Sequence, residues 1–241
     1  MRVKMTIAYN GANFFGSQVQ KETEQTVNGQ LEKALSLLQI KTKIQASGRT
    51  DRGVHASRQV VHFELPTFWN DLSKLKDSLT RILPSSIQIR KLESVADDFH
   101  ARYSAKKRAY RYIISTQKPS PFLTDLVTYV DTINTKKIEE AIQLFEGVHN
   151  FEQFKKSGSD TTNFEREIYK ARLYNYKGYT ILYFEANGFL RSQIRLMVAF
   201  LLAISDNKYT KEDLLEQLNC KKKFTLKPAM HQGLYLCNIK Y

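Results

Sequence analysis

The first hundred residues alternate between strand-like and helix-like patterns of apolar side chains. Leu31, Leu35 and Leu38 recur at helical spacing after Thr26, a residue suited to cap a helix. A second helical segment stops ahead of Pro84, because the residue before a proline disfavours helical backbone angles. The predicted order is β-α-β-β-α-β, with strands at Arg2–Tyr9, Lys43–Ala46, Arg58–Leu65 and Ile87–Val95 and helices starting at Thr26 and spanning Asn70–Ile82.

The rest of the chain has a similar order of elements without an obvious repeat of the sequence. Tyr176–Tyr179 has the turn residues of a hairpin, and Phe189–Ile204 is apolar enough for a buried helix. The other predicted elements are a strand at Lys106–Ser115, helices at Thr135–Phe145 and Lys211–Leu218, and a last strand at Leu234–Tyr241. We therefore predict two α+β domains, residues 1–104 and 105–241, with mainly antiparallel sheets.

Composition is that of a soluble globular protein. At 241 residues with 42% hydrophobic side chains, the chain can bury a large core without a disulfide or metal. Cys220 and Cys237 have no metal-type spacing, the five histidines do not group, and we expect neither a metal nor any other cofactor. The N-terminus lacks a signal-peptide core, and the longest apolar run, Leu196–Ile204, is too short to span a bilayer. We expect a cytoplasmic protein.

Charge narrows the choice of partner. Lys and Arg total 37 against 24 Asp and Glu, a formal net charge of +13. A surplus of this size favours a polyanion such as a nucleic acid, because neutralising phosphates releases condensed counterions. The alternative is a basic surface that is merely solvated.

The segment Ala46–Ala56 is the most unusual stretch of the chain. Two glycines bracket a short loop between predicted strands, and the loop holds Asp51 between Arg49 and Arg52. Neighbouring guanidinium groups favour the ionised form of a carboxyl. Composition alone leaves open whether this is a reactive carboxylate or a tight turn with a surface ion pair.

The whole segment resembles the Gly-Arg-Thr-Asp-x-Gly-Val-His motif of the tRNA pseudouridine synthase A family. Other stretches of the chain, before and after this segment, also resemble the family and occur in the family's order. They are Tyr9–Gln18, Thr26–Leu35, Phe99–Ala105, Arg108–Tyr112, Gly147–Phe151, Ala186–Leu190 with Arg195, Pro228–Ala229 and Gly233–Leu236. We therefore expect two ferredoxin-like α/β sandwiches that flank a basic central cleft, with Asp51 at its centre.

This resemblance implies an isomerase that converts uridine to pseudouridine in tRNA, with Asp51 as the essential aspartate. The bond from ribose C1′ to uracil N1 breaks, and a bond from C1′ to C5 forms. Carboxylates assist comparable chemistry at C1′ in glycosidases. Whether Asp51 attacks C1′, attacks the base or removes a proton stays open. The family also implies a homodimer that acts on the anticodon stem-loop, at uridines 38, 39 and 40.

The resemblance assigns roles to further residues. Arg195 pairs with the aspartate, although an arginine at the edge of a core helix can also extend to solvent. Tyr110 stacks on uracil, while Tyr112, on the same face of the strand, can be a core residue. Arg49 occupies or braces the place in the RNA base stack that the flipped uridine leaves, and Leu234 closes the pocket against the base. RNA contacts are assigned to Phe99, His100, Ala101, Arg102 and Tyr103, for which packing at a domain junction is the alternative.

The chain departs from the family pattern at several places outside these catalytic residues. Ser17 stands where tryptophan is common, Arg52 replaces a small residue, Arg191 and Ser192 replace frequent histidines, and Ala199 replaces a frequent glycine. These changes bear on RNA contacts and target choice.

Two other functions are alternatives. One is a module that binds and remodels tRNA without catalysis, and the other is a different RNA enzyme, such as a nuclease or methyltransferase. The sequence has neither the carboxylate cluster nor the suitable glycine-rich loop that the second alternative would need.

Overall fold

Strand β1 shows how the apolar pattern becomes structure. It spans Arg2–Tyr9 as predicted, and every second side chain, from Val3 to Tyr9, is buried. The computed structural model describes residues 1–156, 158, 162–224 and 227–241. By its internal contacts the chain divides into a first unit, Met1–Lys106 with Tyr235–Tyr241, and a second unit, Lys107–Leu234.

The sheet of the first unit has the order β4-β1-β3-β10, and β2 also pairs with β3. All of these pairings are antiparallel except that of β10 with β3. Helix α1 is capped by the Thr26 hydroxyl, which accepts from Gly29 N at 3.2 Å. The remaining elements are α1 (Val27–Leu37), β2 (Gln45–Ala46), β3 (His55–Glu64), α2 (Leu72–Ile82), β4 (Ile87–Ser94) and β10 (Leu234–Lys240).

The sheet of the second unit has the order β5-β9-β8-β7, all antiparallel, with β6 parallel to β5. Its core is aromatic: Phe145, Phe151, Phe154, Phe184 and Phe200 are all fully buried. The elements are β5 (Lys107–Ser115), β6 (Thr128–Tyr129), α3 (Thr135–Ile142), β7 (Gly147–Asn150), β8 (Glu165–Tyr176), β9 (Tyr179–Ala186), α4 (Gln193–Ser205) and α5 (Lys211–Leu218).

The structure confirms an α+β protein with mostly antiparallel strands and corrects several boundaries. Strand β3 begins at His55, not Arg58, because its first residues already pair with β10. Helix α4 begins at Gln193, not Phe189, because Ser192 has a φ of +59°, which a helix does not accommodate. The short strands β6 and β7 were not predicted. The contacts group the final strand mostly with the first unit, whereas the prediction placed it in the domain 105–241, so the domain boundaries stay a prediction.

Candidate active site

The predicted catalytic loop connects β2 to β3 in the first unit. Asp51 is half-buried, and its carbonyl accepts a hydrogen bond from Val54 N at 3.1 Å, which closes a tight turn. Arg49 and Arg52 are exposed on either side of it. The Arg52 guanidinium lies 4.3 Å from the centre of the Phe15 ring, a cation–π contact. Asp51 is therefore partly exposed in a loop that also presents two exposed cationic side chains.

Thr50, directly before Asp51, is held at each of its polar atoms. Its N–H donates to Ser17 Oγ at 2.9 Å, and its carbonyl accepts from Ser17 N at 3.1 Å. Its hydroxyl shares a hydrogen bond of 2.8 Å with the Tyr9 hydroxyl. Burial raises the pKa of Tyr9 to about 12, so this phenol stays protonated at any ordinary pH. The backbone entering Asp51 is consequently anchored to the first unit.

The two ends of the loop are anchored as well. At the start, Ser47 Oγ donates to Gln59 Oε1 at 2.6 Å, and Gln59 Nε2 donates to the Gly48 carbonyl at 2.9 Å. At the end, His55 Nδ1 accepts from Gly11 N at 2.9 Å. The His55 ring also stacks on Tyr235, with ring centres 4.5 Å apart. These contacts make His55 a structural residue of the loop.

The segment predicted to contact RNA also lies in the first unit, where it presents two exposed side chains. Ala101 is fully buried, and its N–H donates to His62 Nδ1 at 3.1 Å. Arg102 and Tyr103 are exposed, and both of their N–H groups donate to His100 Nδ1, at 3.1 Å and 3.3 Å. The Tyr103 and His100 rings lie 4.4 Å apart. A cation and an aromatic face on an anchored turn suit contacts to phosphate and base.

His62 holds this segment only in its neutral form. Burial, together with the neighbouring His100 and Arg2, lowers the pKa of His62 to about 4. The ring contacts His100 at 4.7 Å and Phe99 at 6.1 Å, both edge-on. Phe99 in turn contacts the Tyr241 ring at 4.9 Å. The segment is thus packed against the core as well as hydrogen-bonded to it.

The second unit contains Tyr110 and Tyr112 on β5, and their surroundings differ. Tyr112 is fully buried; its hydroxyl donates to the Met230 carbonyl at 2.7 Å and lies 2.8 Å from Thr128 Oγ1. Burial raises the pKa of Tyr112 to about 12. The alternative that Tyr112 is a core residue is therefore confirmed. Tyr110 is 7% exposed and packs edge-on against Phe189, with ring centres 5.3 Å apart.

Arg195 is the third residue of α4 and is tied to the segment that follows α5. Its Nε donates to the Ala229 carbonyl at 2.7 Å, and its own carbonyl accepts from Ala229 N at 3.0 Å. The next residue, Met230, offers its carbonyl to the Tyr112 hydroxyl. The structure therefore brings Arg195 and Tyr112 to the same short segment, 229–230.

Leu234 is buried at the start of β10. The residue before it, Gly233, must be a glycine, because a Cβ there would lie 2.6 Å from Thr128 Oγ1 and 2.8 Å from the Ile113 carbonyl. Of the predicted catalytic and pocket residues, Arg49 and Asp51 belong to the first unit, and Tyr110, Arg195 and Leu234 belong to the second.

Sequence reasoning missed the residues that anchor the loop: Tyr9, Ser17 and Gln59. Ser17 stood out only as a departure from the family pattern. Gln59 offers a signal in the sequence, because it is a polar residue in an otherwise apolar strand. The structure shows that it is fully buried. Tyr9 lies on the apolar face of β1 and resembles an ordinary core residue.

The described part of the chain offers neither a metal cluster nor a membrane-crossing helix. Among the residues that the structure describes, no group of three or more His, Cys, Asp or Glu side chains could hold a metal ion. Within the same ranges, no helix has the length and apolar character needed to cross a membrane.

Comparison with known proteins identifies the family. A family model described as tRNA pseudouridine synthase matches residues 5–104 and 141–241. The chain belongs to the tRNA pseudouridine synthase family. The family predicted from the motif is confirmed, and with it the class of enzyme, an isomerase that forms pseudouridine.

Relatives named tRNA pseudouridine synthase A match over nearly their whole length. The one from Wolinella succinogenes is 42% identical over 98% of this chain and 92% of its own. Those from Helicobacter hepaticus and Campylobacter jejuni are 40% and 39% identical, covering 99% and 100% of this chain and 98% and 100% of theirs. A Cbf5-Nop10-Gar1 complex aligns at a TM-score of 0.36 and 14% identity over 83% of this chain and 44% of that chain, a likeness too distant to support an argument.

Within this family, four of the five departures of the chain have visible structural roles, and nothing in the structure explains Ala199. Ser17 is buried against Thr50, and Arg52 lies on Phe15. The Arg191 carbonyl accepts from Lys156 N at 3.0 Å, and its guanidinium donates to the Gly158 carbonyl at 3.2 Å. Ser192 supplies the left-handed residue before α4.

Proposed function

We propose that this synthase acts on the anticodon stem-loop of tRNA, at uridines 38, 39 and 40, with Asp51 as its catalytic carboxylate. The observation that carries the proposal is the loop itself. Asp51, the aspartate of the family motif, is half-buried in a turn that is anchored at both ends, and Arg49 and Arg52 flank it in the sequence. A rigid frame is what a catalytic side chain needs to be held in a productive position.

The reaction conserves the atoms of the uridine. The C1′–N1 bond breaks, the base turns, and C1′ bonds to C5; the proton on C5 passes to solvent and N1 gains one. We assign to Asp51 the step at C1′ or at the base, for which a carboxylate can act as nucleophile or base. No step of this balance requires an oxidant or a reductant.

The other predicted residues complete this proposal. Arg195 pairs with the Asp51 carboxylate, and Tyr110 stacks on the uracil ring. Arg49 braces the helix after the uridine has flipped out, and Leu234 closes the pocket. The exposed Arg102 and Tyr103 suit contacts with the RNA.

We propose the remaining architecture on the family resemblance. The two α/β sandwiches flank a basic central cleft, and the protein works as a cytoplasmic homodimer that binds tRNA across both subunits. The net charge of +13 supports an RNA-binding surface. Light scattering after size exclusion tests the dimer directly.

The test of function is release of tritium from tRNA that is labelled at uracil C5, in buffer with a chelator. The parent protein should release tritium, and mapping of the product should place pseudouridine at positions 38, 39 and 40. Asp51→Ala should abolish release and keep tRNA affinity. Asp77→Asn, an exposed aspartate on α2, serves as the control and should match the parent.

The outcomes separate the parts of the proposal. Product at other uridines would overturn the assigned targets. Activity in Asp51→Ala would overturn the role of the carboxylate. A parent that binds tRNA without converting uridine would leave a binding module as the function.

A further inference from the structure

The residue before Asp51 is anchored at all three of its polar groups. Thr50 is 7% exposed, and its N–H, its carbonyl and its hydroxyl each have a partner outside the loop. Two of these partners belong to Ser17 and the third is Tyr9. Asp51 shares a peptide bond with Thr50, so the position of its Cα depends on these three hydrogen bonds.

The partners are themselves parts of regular structure. The Gly16 and Ser17 carbonyls accept from the first two N–H groups of α1, Val27 N at 3.2 Å and Asn28 N at 2.9 Å. Tyr9 is the last residue of β1. The three hydrogen bonds to Thr50 therefore connect the loop to the start of a helix and to the end of a central strand.

Gly16 allows its own backbone and that of Thr50 to approach closely. Its φ is +106°, which side-chain-bearing residues rarely adopt, and a Cβ would lie 3.1 Å from the Thr50 carbonyl oxygen. Ser17 is 2% exposed, so water does not replace its hydroxyl at Thr50 N. A buried N–H that loses its acceptor is costly, and the chain relieves that cost by moving.

We propose that Ser17 and Tyr9 are positioning residues for the reaction, and that they hold the Asp51 carboxylate in place by fixing Thr50. The proposal rests on the proposed role of Asp51. It assigns no contact with RNA to either residue. An indole, the side chain common at this position in the family, donates but does not accept hydrogen bonds. The hydrogen bond from Thr50 N to Ser17 Oγ is therefore a feature of chains with serine here.

The test compares two buried serines that accept from a backbone N–H. Ser17→Ala removes the acceptor of Thr50 N; Ser205→Ala removes an acceptor of the same kind, since Ser205 Oγ accepts from Asn134 N at 2.7 Å in the second unit. Single-turnover rates on saturating tRNA, tRNA dissociation constants and melting temperatures are measured for both. Ser17→Ala should lower the rate roughly 10- to 100-fold, as small misplacements of catalytic groups do, with an unchanged dissociation constant.

Ser205→Ala should keep the parental rate even where its melting temperature falls. If Ser17→Ala and Ser205→Ala lose stability alike and both keep the parental rate, Ser17 is only structural and the proposal fails. Ser17→Thr retains the hydroxyl and should recover part of the rate.

Tyr9→Phe tests the second contact without relying on Ser17→Ala being folded. It should slow the single-turnover step roughly tenfold. Thr50→Val removes the other half of the same hydrogen bond, so the double variant should be no slower than the slower single variant. Independent, multiplying effects would overturn the coupling. A parent without activity would instead refute the proposed function, which is measured first.

Discussion

Tyr110 and Tyr112 lie two residues apart on β5, and only their neighbours distinguish them. The Tyr112 hydroxyl is bound by Met230 and Thr128 inside the core, whereas the Tyr110 ring is packed edge-on against Phe189. Full burial and these two hydrogen bonds make Tyr112 a core residue. Tyr110 is the tyrosine to which we assign uracil stacking, on the family resemblance.

At the same scale, Arg195 has a testable role in turnover. Arg195→Ala should lower the rate of the chemical step roughly 100-fold or more, because it removes a preorganised charge, while tRNA affinity changes little. Single-turnover kinetics and filter binding measure the two. Arg81→Ala, at an exposed arginine in the last turn of α2, is the control. An equal loss of rate and affinity would contradict the pairing with Asp51.

His62 makes stability depend on pH in a defined direction. Its pKa is about 4 in the folded protein and 6.5 ordinarily, so below pH 6.5 the unfolded chain binds a proton that the folded protein does not. The free energy of unfolding should therefore fall as the pH drops from 6.5 towards 4, by less than about 3 kcal/mol.

Urea unfolding at a series of pH values measures this effect. His62→Gln should flatten the curve in that window relative to the parent protein. Because folded His62 keeps its neutral form until the pH approaches 4, the hydrogen bond that it accepts from the Ala101 N–H, and with it tRNA binding, should weaken only near pH 4. An unchanged pH profile in His62→Gln would show that other groups cause the dependence.

At the scale of elements, the second unit depends on an aromatic cluster that joins a turn to α4. Phe154 contacts Phe145 at 5.6 Å, Phe151 at 6.0 Å and Phe200 at 6.0 Å between ring centres. Phe200 lies in the middle of α4, whose first turn contains Arg195. Packing of this cluster therefore supports the helix that carries a proposed catalytic residue.

Phe154→Ala should lower the free energy of unfolding by roughly 3–5 kcal/mol, because it leaves a cavity in a close-packed core. Chemical denaturation, followed by far-ultraviolet circular dichroism, measures this loss of free energy. Phe122→Ala is the matched control, since Phe122 is 91% exposed, and its effect should be within about 0.5 kcal/mol. Similar losses in the two variants would contradict this account of the core.

At the scale of the whole molecule, the net charge of +13 predicts how RNA binding responds to salt. The logarithm of the tRNA association constant should fall linearly with the logarithm of salt concentration. Arg102→Gln should make that slope shallower by roughly one unit if the side chain contacts a phosphate. Arg90→Gln, an exposed arginine on β4, should leave the slope unchanged. A salt-independent affinity would remove charge as the basis of RNA binding.

Much of the secondary structure could be predicted, because it depends on neighbours in the chain. The alternation in Arg2–Tyr9 and the Thr26 cap produced elements at the predicted places, and α5 has the predicted bounds, Lys211–Leu218. The errors lie where distant partners decide. Strand β3 gains three residues by pairing with β10, and β7 is a short strand that exists through its pairing with β8.

The sequence by itself determined the family, the class of reaction and the aspartate that we assign to it, because a motif and its spacing are local properties of the chain. Only the tertiary structure decided what holds that aspartate in place. Ser17 is 33 residues from Thr50, and Tyr9 is 41 residues from it. A hydrogen bond between such residues forms only when folding brings them together, and no local pattern of the sequence contains it.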